Sequence, residues 1–239
     1  MESTQDLAVY LVPPSDHRLY SVGSSVLGWD NRREVRVPRP ALPGISDEQL
    51  ATWVGPAEFF GIHATIGDAL RVPTVMRSQV VDELRTIARE FPAIRLSGGR
   101  FFNRGEFFSP NTLVATYDDS SGALLALHSE VVARFNRLAR GSGYWDYRED
   151  PRWTPKQRWR IERYYAPFIL DAFQFHFTFA SSLAGPEAVD RLHRAVVDVT
   201  GLFSQPSDTT LLLSEAWLFE KRSDGYWRLA EAFPFASRR

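Results

Sequence analysis

The sequence predicts an α+β protein built as two similar lobes, on three observations. Strand-like and helix-like segments alternate along the 239 residues, and the second half repeats the order of the first. Each half also holds one apolar-backed strand with a histidine two places before a threonine, His63-Ala64-Thr65 and His176-Phe177-Thr178. No linker of low complexity separates the halves, so we expect one bilobal domain over residues 1–239. Its approximate lobes are 1–105 and 106–239, with strands free to exchange between them.

The elements follow in order. Leu7 to Val12 is a short apolar run stopped by Pro13-Pro14 and reads as a buried strand. A helix is expected over Arg18 to Leu27. Val35 to Pro43, with three prolines, is a surface connection, and Ser46 offers the N-cap of a short helix through Trp53. Gly61 to Val72 reads as a strand and Ser78 to Phe91 as a helix, with Val80, Val81, Leu84, Ile87 and Ala88 on one face. Ala93 to Phe102 and Thr112 to Tyr117 are strands, and Gly98-Gly99 is a bend or bulge between lobes. Gly122 to Arg140 is an amphipathic helix, Gly141 to Pro155 a long loop, and Thr154-Pro155 the start of a helix through Tyr164. The second half continues with a strand (Phe173 to Ala180) and a helix (Pro186 to Val199). Strands Leu211 to Lys221 and Tyr226 to Phe235 then meet at Ser223-Asp224-Gly225.

Composition removes several function classes. A net charge of −1 argues against a general nucleic-acid binder. The absence of cysteine excludes disulfides, thiolate metal sites and a cysteine nucleophile. The N-terminal MESTQDLAVYLVPP has no basic n-region and no apolar run of membrane-spanning length follows, so a soluble, cytoplasmic protein is expected. Only Lys156 and Lys221 are lysines among 28 basic residues, a bias that fits either drift or a preference for anions.

Strand parity places His63 and Thr65 on one face and Ile62, Ala64 and Ile66 on the other; it likewise sets His176 and Thr178 against Phe175, Phe177 and Phe179. A polar front and an apolar back suit a strand that lines a cleft. His128 and His193 lie on helices and read as structural or solvated, and His17 as an exposed residue at a helix start. No two of the five histidines have the i, i+4 spacing of a metal pair on a helix, and no Gly-rich phosphate loop appears. The aromatics Tyr144, Trp145, Tyr147, Trp153 and Trp159, interleaved with Arg148, Arg152, Arg158 and Arg160, either cap the core or stack a base.

The doubled His-x-Thr resembles the 2H phosphoesterase superfamily, which includes RNA cyclic phosphodiesterases and 2′-5′ RNA ligase-like proteins. More narrowly, the chain resembles its branch associated with phosphonate metabolism. Further resembling stretches are Ala8 to Pro14, Gly23 to Asp30, Thr154-Pro155-Lys156-Gln157 and Pro167 to Thr178. The resemblance implies the bilobal 2H fold, each lobe an antiparallel sheet flanked by helices. It also implies metal-independent hydrolysis of a small cyclic phosphodiester, with His63 and His176 as the acid/base pair and Thr65 and Thr178 as donors to phosphate oxygens. Tyr10, on the first strand, is expected to face the cleft.

The chain departs from that pattern in three places: two expected cleft positions lose a cation, and the usual aromatic pair before the second motif is replaced by Ala166 and Phe168, with Tyr164 and Tyr165 just upstream. The branch usually continues its first motif with Leu-Lys, where this chain has Ile66-Gly67, and an arginine usually stands where Gln174 precedes the second motif. Parity puts Gly67 and Gln174 on the cleft faces. Either Arg71, Arg18 or Arg163 supplies the missing charge, or the substrate is less anionic or not a phosphate. The expected partner is a small molecule, with no cofactor, metal, membrane or long nucleic acid, and a monomer is favoured. The alternatives are a repurposed enzyme that uses the same histidines for proton transfer on a non-phosphate molecule, or a non-catalytic nucleotide- or RNA-binding module.

Overall fold

The structure, a computed structural model, describes residues 3–102 and 109–237. In chain order the elements are β1 (Thr4–Leu11), α1 (Arg18–Leu27), β2 (Trp29–Asp30), β3 (Val35–Arg36), α2 (Asp47–Val54) and β4 (Ala64–Pro73). Then come α3 (Arg77–Glu90), β5 (Ile94–Phe101), β6 (Leu113–Asp118), α4 (Ala123–Phe135), β7 (Gly141–Ser142) and α5 (Gly143–Asp146). The chain continues through α6 (Pro155–Tyr164), β8 (Phe177–Ala180), α7 (Pro186–Thr200), β9 (Leu211–Leu213), β10 (Glu215–Lys221) and β11 (Trp227–Pro234).

Two antiparallel sheets organise these strands, in the orders β11-β10-β1-β4-β7 and β8-β6-β5-β9, beside the small β2-β3 pair. The expected α+β class with two helix-flanked antiparallel sheets is what the chain forms. β1 is central in its sheet and its residues Leu7 to Leu11 are buried, which is why this strand reads as a continuous apolar run. Helices α3 and α4 pack on the first sheet, and α1, α2 and α7 on the second.

The sheets do not divide at residue 105. β5 from the first half belongs to the second sheet, and β10 and β11 from the C-terminal end complete the first. The single strand expected over Leu211 to Lys221 is two, because the chain leaves one sheet after Leu213 and joins the other at Glu215. Gly98-Gly99 is no boundary between lobes. It is a bulge within β5, where Gly98 takes φ +64° and the pairing with β6 slips.

Local signals explain the helix starts. Ser46 Oγ accepts from the Gln49 amide, and Thr154 and Gln157 form a capping box around Pro155 at the first position of α6. His17 caps α1 instead of standing exposed: its Nδ1 accepts from the Leu19 amide, and its Nε2 donates to the Thr210 carbonyl at 2.8 Å.

Candidate active site

Each histidine precedes its strand by one residue, His63 before β4 and His176 before β8, rather than lying within it. The two are held in the same way. His63 Nδ1 is 2.9 Å from the Gly61 carbonyl and His176 Nδ1 is 2.7 Å from the Gln174 carbonyl, each reaching back two residues. A carbonyl oxygen only accepts, so Nδ1 carries the hydrogen in both rings and Nε2 keeps the basic lone pair.

The seat of His63 is built by residues distant in sequence. Fully buried Asn31 donates from Nδ2 to the carbonyls of Phe60 at 3.2 Å and Ile62 at 3.1 Å. Gly61 at φ +67° lies so close that a Cβ would stand 2.7 Å from Asn31 Cβ, and a Cβ on Gly23 of α1 would come within 2.6 Å of Ile62. The stretch Gly23 to Asp30 therefore matters because it lets α1 and the turn after it close on the loop that presents His63. Before His176, buried Thr116 donates to the Phe175 carbonyl at 2.7 Å; upstream, Asp171 accepts from both Lys156 and buried Arg160 of α6, while Arg160 also donates to the Pro167 carbonyl at 3.2 Å. Two of the resembling stretches, Thr154 to Gln157 and Pro167 to Thr178, meet at this contact.

Both histidines line a connected space between the sheets. An outer cavity of about 580 Å³ is bounded by Tyr10, Phe60, His63, Thr65, Tyr144, Trp153 and Thr178, among others. An inner one of about 140 Å³ is bounded by Gln174, His176, Phe168 and His128, and Thr65, Asp68 and Tyr144 line both. Of the predicted residues, His63, His176, Thr65, Thr178, Tyr10 and Gln174 all reach this space. A surface groove of about 720 Å³ along the start of α7, from Ala184 to Arg194, holds neither motif.

Tyr10 stacks on the His63 ring with centroids 4.0 Å apart, and Phe60 lies at 5.5 Å. Burial among these rings, with the nearby His176 adding to it, pulls His63 down to about 4; burial does the same to His176. Both imidazoles are therefore neutral at pH 7. His128 is structural: Nδ1 donates to the Ile66 carbonyl at 2.9 Å and Nε2 accepts from the Leu170 amide at 2.9 Å.

Arg71 does not line the cavity. It pairs with Asp146 at 2.6 Å and donates to the Ser142 carbonyl, which anchors the segment that supplies Tyr144 and Tyr147. Arg18 is committed to Asp208, and Arg163 is exposed and outside the cavity. Among the described lining residues only Arg152 is a lysine or arginine, and it is paired with Asp150 at 2.6 Å.

Gly67 faces away from the cleft. A Cβ there would stand 2.8 Å from Val131 of α4 and 3.1 Å from Val9. The cause is a pair of register slips between β1 and β4: Leu7 opposes Leu70, Val9 opposes Gly67 and Tyr10 opposes Thr65, so β4 carries extra residues and its alternation breaks. Asp68 takes the cleft position instead, and burial raises its carboxyl to about 6. Parity reasoning missed Asp68 although a signal was present, since an isolated glycine within a strand pattern marks a bulge.

The aromatic group divides. Tyr144, Tyr147 and Trp153 line the outer cavity, while Trp145 packs on Tyr165 and under Arg148, and Trp159 is exposed. Among the described residues no cluster of three acidic or histidine side chains could hold a metal ion, and no helix is long and apolar enough to cross a membrane.

The chain is similar to solved structures of Escherichia coli LigT, including the complex with 3′-AMP (TM-score 0.49, 11% identity, 98% of this chain and 99% of that one covered). It is also similar to a protein of Thermus thermophilus (TM-score 0.47, 15% identity, 98% and 100% covered). These likenesses are distant and nothing about activity follows from them. In sequence it is 29% identical over 218 residues to the ribose 1,5-bisphosphate phosphokinase PhnN of Laribacter hongkongensis (strain HLHK9), covering 87% of this chain and 48% of that protein. The chain thus spans about half the length of the curated relative it matches. The profile of the family described as "Protein of unknown function (DUF1045)" matches residues 71–226, well over half of the sequence, and the chain belongs to that family.

Proposed function

We propose that the protein is a phosphoesterase of the two-histidine type, acting without metal on a small phosphodiester, with a cyclic phosphate of a nucleotide or sugar as the leading substrate. One observation carries the reading: two imidazoles, anchored identically through Nδ1 and each left with a basic Nε2, line adjoining compartments that share Thr65, with Thr178 on the outer one beside His63. Hydrolysis needs a base for the attacking water on one side of phosphorus and an acid for the departing oxygen on the other. By themselves both histidines are neutral bases. An anionic phosphate between them raises their pKa and charges one, which makes that one the acid. The two threonine hydroxyls are the donors for the non-bridging oxygens.

The phosphokinase activity in the name of the Laribacter relative is not part of this proposal. A P-loop requires a glycine before its lysine, and Lys156 and Lys221 follow Pro155 and Glu220. What supports the phosphonate-associated branch is that this relative's named substrate is a sugar phosphate and that the resembling stretches run in order along the chain.

A second reading is favoured by the lining charges. Asp68 faces the cavity and, among the described residues, the one lining arginine is paired, so the site also suits proton transfer by the same histidines on a less anionic, or unphosphorylated, small molecule. The same charges count against a long nucleic acid as ligand.

The test is turnover of a panel of cyclic and acyclic phosphodiesters by the wild type, His63→Ala and His176→Ala, with and without EDTA. The expected result is a loss of about 10²–10⁴-fold in each variant with folding retained and no effect of EDTA. Undiminished turnover in either variant overturns the mechanism, and no turnover of any phosphodiester favours the second reading.

A further inference from the structure

Asp68 lines both compartments, between Thr65 and the ring of Tyr144. Among the described residues no group donates a hydrogen bond to its carboxylate or pairs with it, and its charge acts on the phenols of Tyr10 and Tyr144, both raised. A desolvated carboxylate without a partner is costly, and its free energy is recovered when a ligand brings a donor or a cation. Arg152 cannot supply the charge, because three hydrogen bonds hold it to Asp150. Among the described residues the lining therefore carries one uncompensated negative charge, that of Asp68, beside aromatic walls.

We infer that Asp68 is the recognition group for a protonated amine on the ligand, held between the carboxylate and the aromatic walls of the outer cavity. A carboxylate with ring faces around it binds an ammonium by ion pairing and cation–π attraction, and a cavity of about 580 Å³ has room for a ring-bearing amine that also reaches the histidines. The inference rests on the histidine cavity being the ligand site, and it names the class of molecule that site accepts. It also explains how an anion could enter: a zwitterion answers both Asp68 and the imidazoles.

Four probes separate the two ideas. Tyramine and 4-ethylphenol differ by the ammonium, as do tyramine phosphate and 4-ethylphenyl phosphate, and the two pairs differ by the phosphate. Titration calorimetry at about pH 7.5 is expected to show each amine binding about tenfold tighter than its partner, and the preference vanishing in Asp68→Asn. The contribution of the phosphate, lost in His63→Ala or His176→Ala, reports separately on the phosphoesterase reading. No amine preference in the wild type, a preference that survives Asp68→Asn, or no binding of either amine up to about 10 mM overturns the inference. Should Asp68→Asn not fold, wild-type tyramine against 4-ethylphenol at about pH 5 gives the same comparison. There Asp68 is protonated, while His63 and His176 stay neutral, Tyr10 and Tyr144 keep their protons, and Asp150 and Arg152 remain charged. The preference should fall; its persistence overturns the inference.

Discussion

Asn31 donates from its side-chain amide to the carbonyl of Ile62 at 3.1 Å, one residue before His63. It is wholly buried and also holds the Phe60 carbonyl, so it sets the loop that delivers the first histidine. Asn31→Ala should cost about 1–3 kcal/mol in urea denaturation, because it leaves those carbonyls without their donor. It should also lower turnover through misplacement of His63 while His176 keeps its environment by NMR. Full activity with unchanged stability would remove the role assigned to Asn31.

Gly67→Lys restores the residue usual in the resembled branch, yet the side chain would meet Val131 rather than the ligand. A stability loss of about 1–3 kcal/mol is expected with no gain in affinity for inorganic phosphate. Tighter phosphate binding in this variant would show that position 67 does reach the cleft.

The tautomers are open to direct measurement. Nitrogen-resolved NMR at neutral pH should find His63 and His176 as neutral Nδ1–H rings, and His17, whose Nδ1 accepts from Leu19, as the Nε2–H form. A charged His63 or His176 in the ligand-free protein contradicts the burial described above.

Stability should depend on pH in a specific window. His63, His128 and His176 are held at about 4 by burial and return to about 6.5 when unfolded. Between those values the unfolded chain binds more protons, so stability is full above about pH 6.5 and falls as pH drops toward 4. Asp68 acts oppositely, since its carboxyl, raised to about 6, takes up a proton in the folded state and relieves a buried charge as the pH falls. The denaturation midpoint should therefore decline below about pH 6.5, and more steeply in Asp68→Asn. A midpoint flat across that window is the contrary outcome.

If an anionic ligand charges one histidine, its binding must take up protons. Calorimetry of tyramine phosphate in buffers of differing ionisation heat should show net uptake at about pH 7, reduced in His63→Ala or His176→Ala. Binding without any proton uptake would instead fit a site that uses its histidines only as neutral bases.

Much of this was legible in the sequence, and the reason differs by element. The apolar run of β1, the capping residues Ser46 and Thr154, and the alternating burial from Phe175 to Phe179 report local physics and lie where their patterns place them, although the strand expected from Phe173 begins only at Phe177. Arg71 was harder, because its parity was right but Asp146, contributed by a segment read as loop, captures it. Asn31 and Phe60 act through contacts that no spacing reveals. Asp68 was hidden by the slip between β1 and β4, which inverts the inside-outside pattern only after the fold is formed.

That slip has a consequence for how such a pocket changes its preferences. Gly67 and Asp68 are sequence neighbours, and which of them meets the ligand is decided by backbone register rather than by side-chain identity. The polarity of the recognition surface is thus adjustable by inserting or deleting one residue in β1 or β4, with the chemical groups left as they are. A comparison of relatives column by column would miss that exchange, and a comparison of bulge positions would find it.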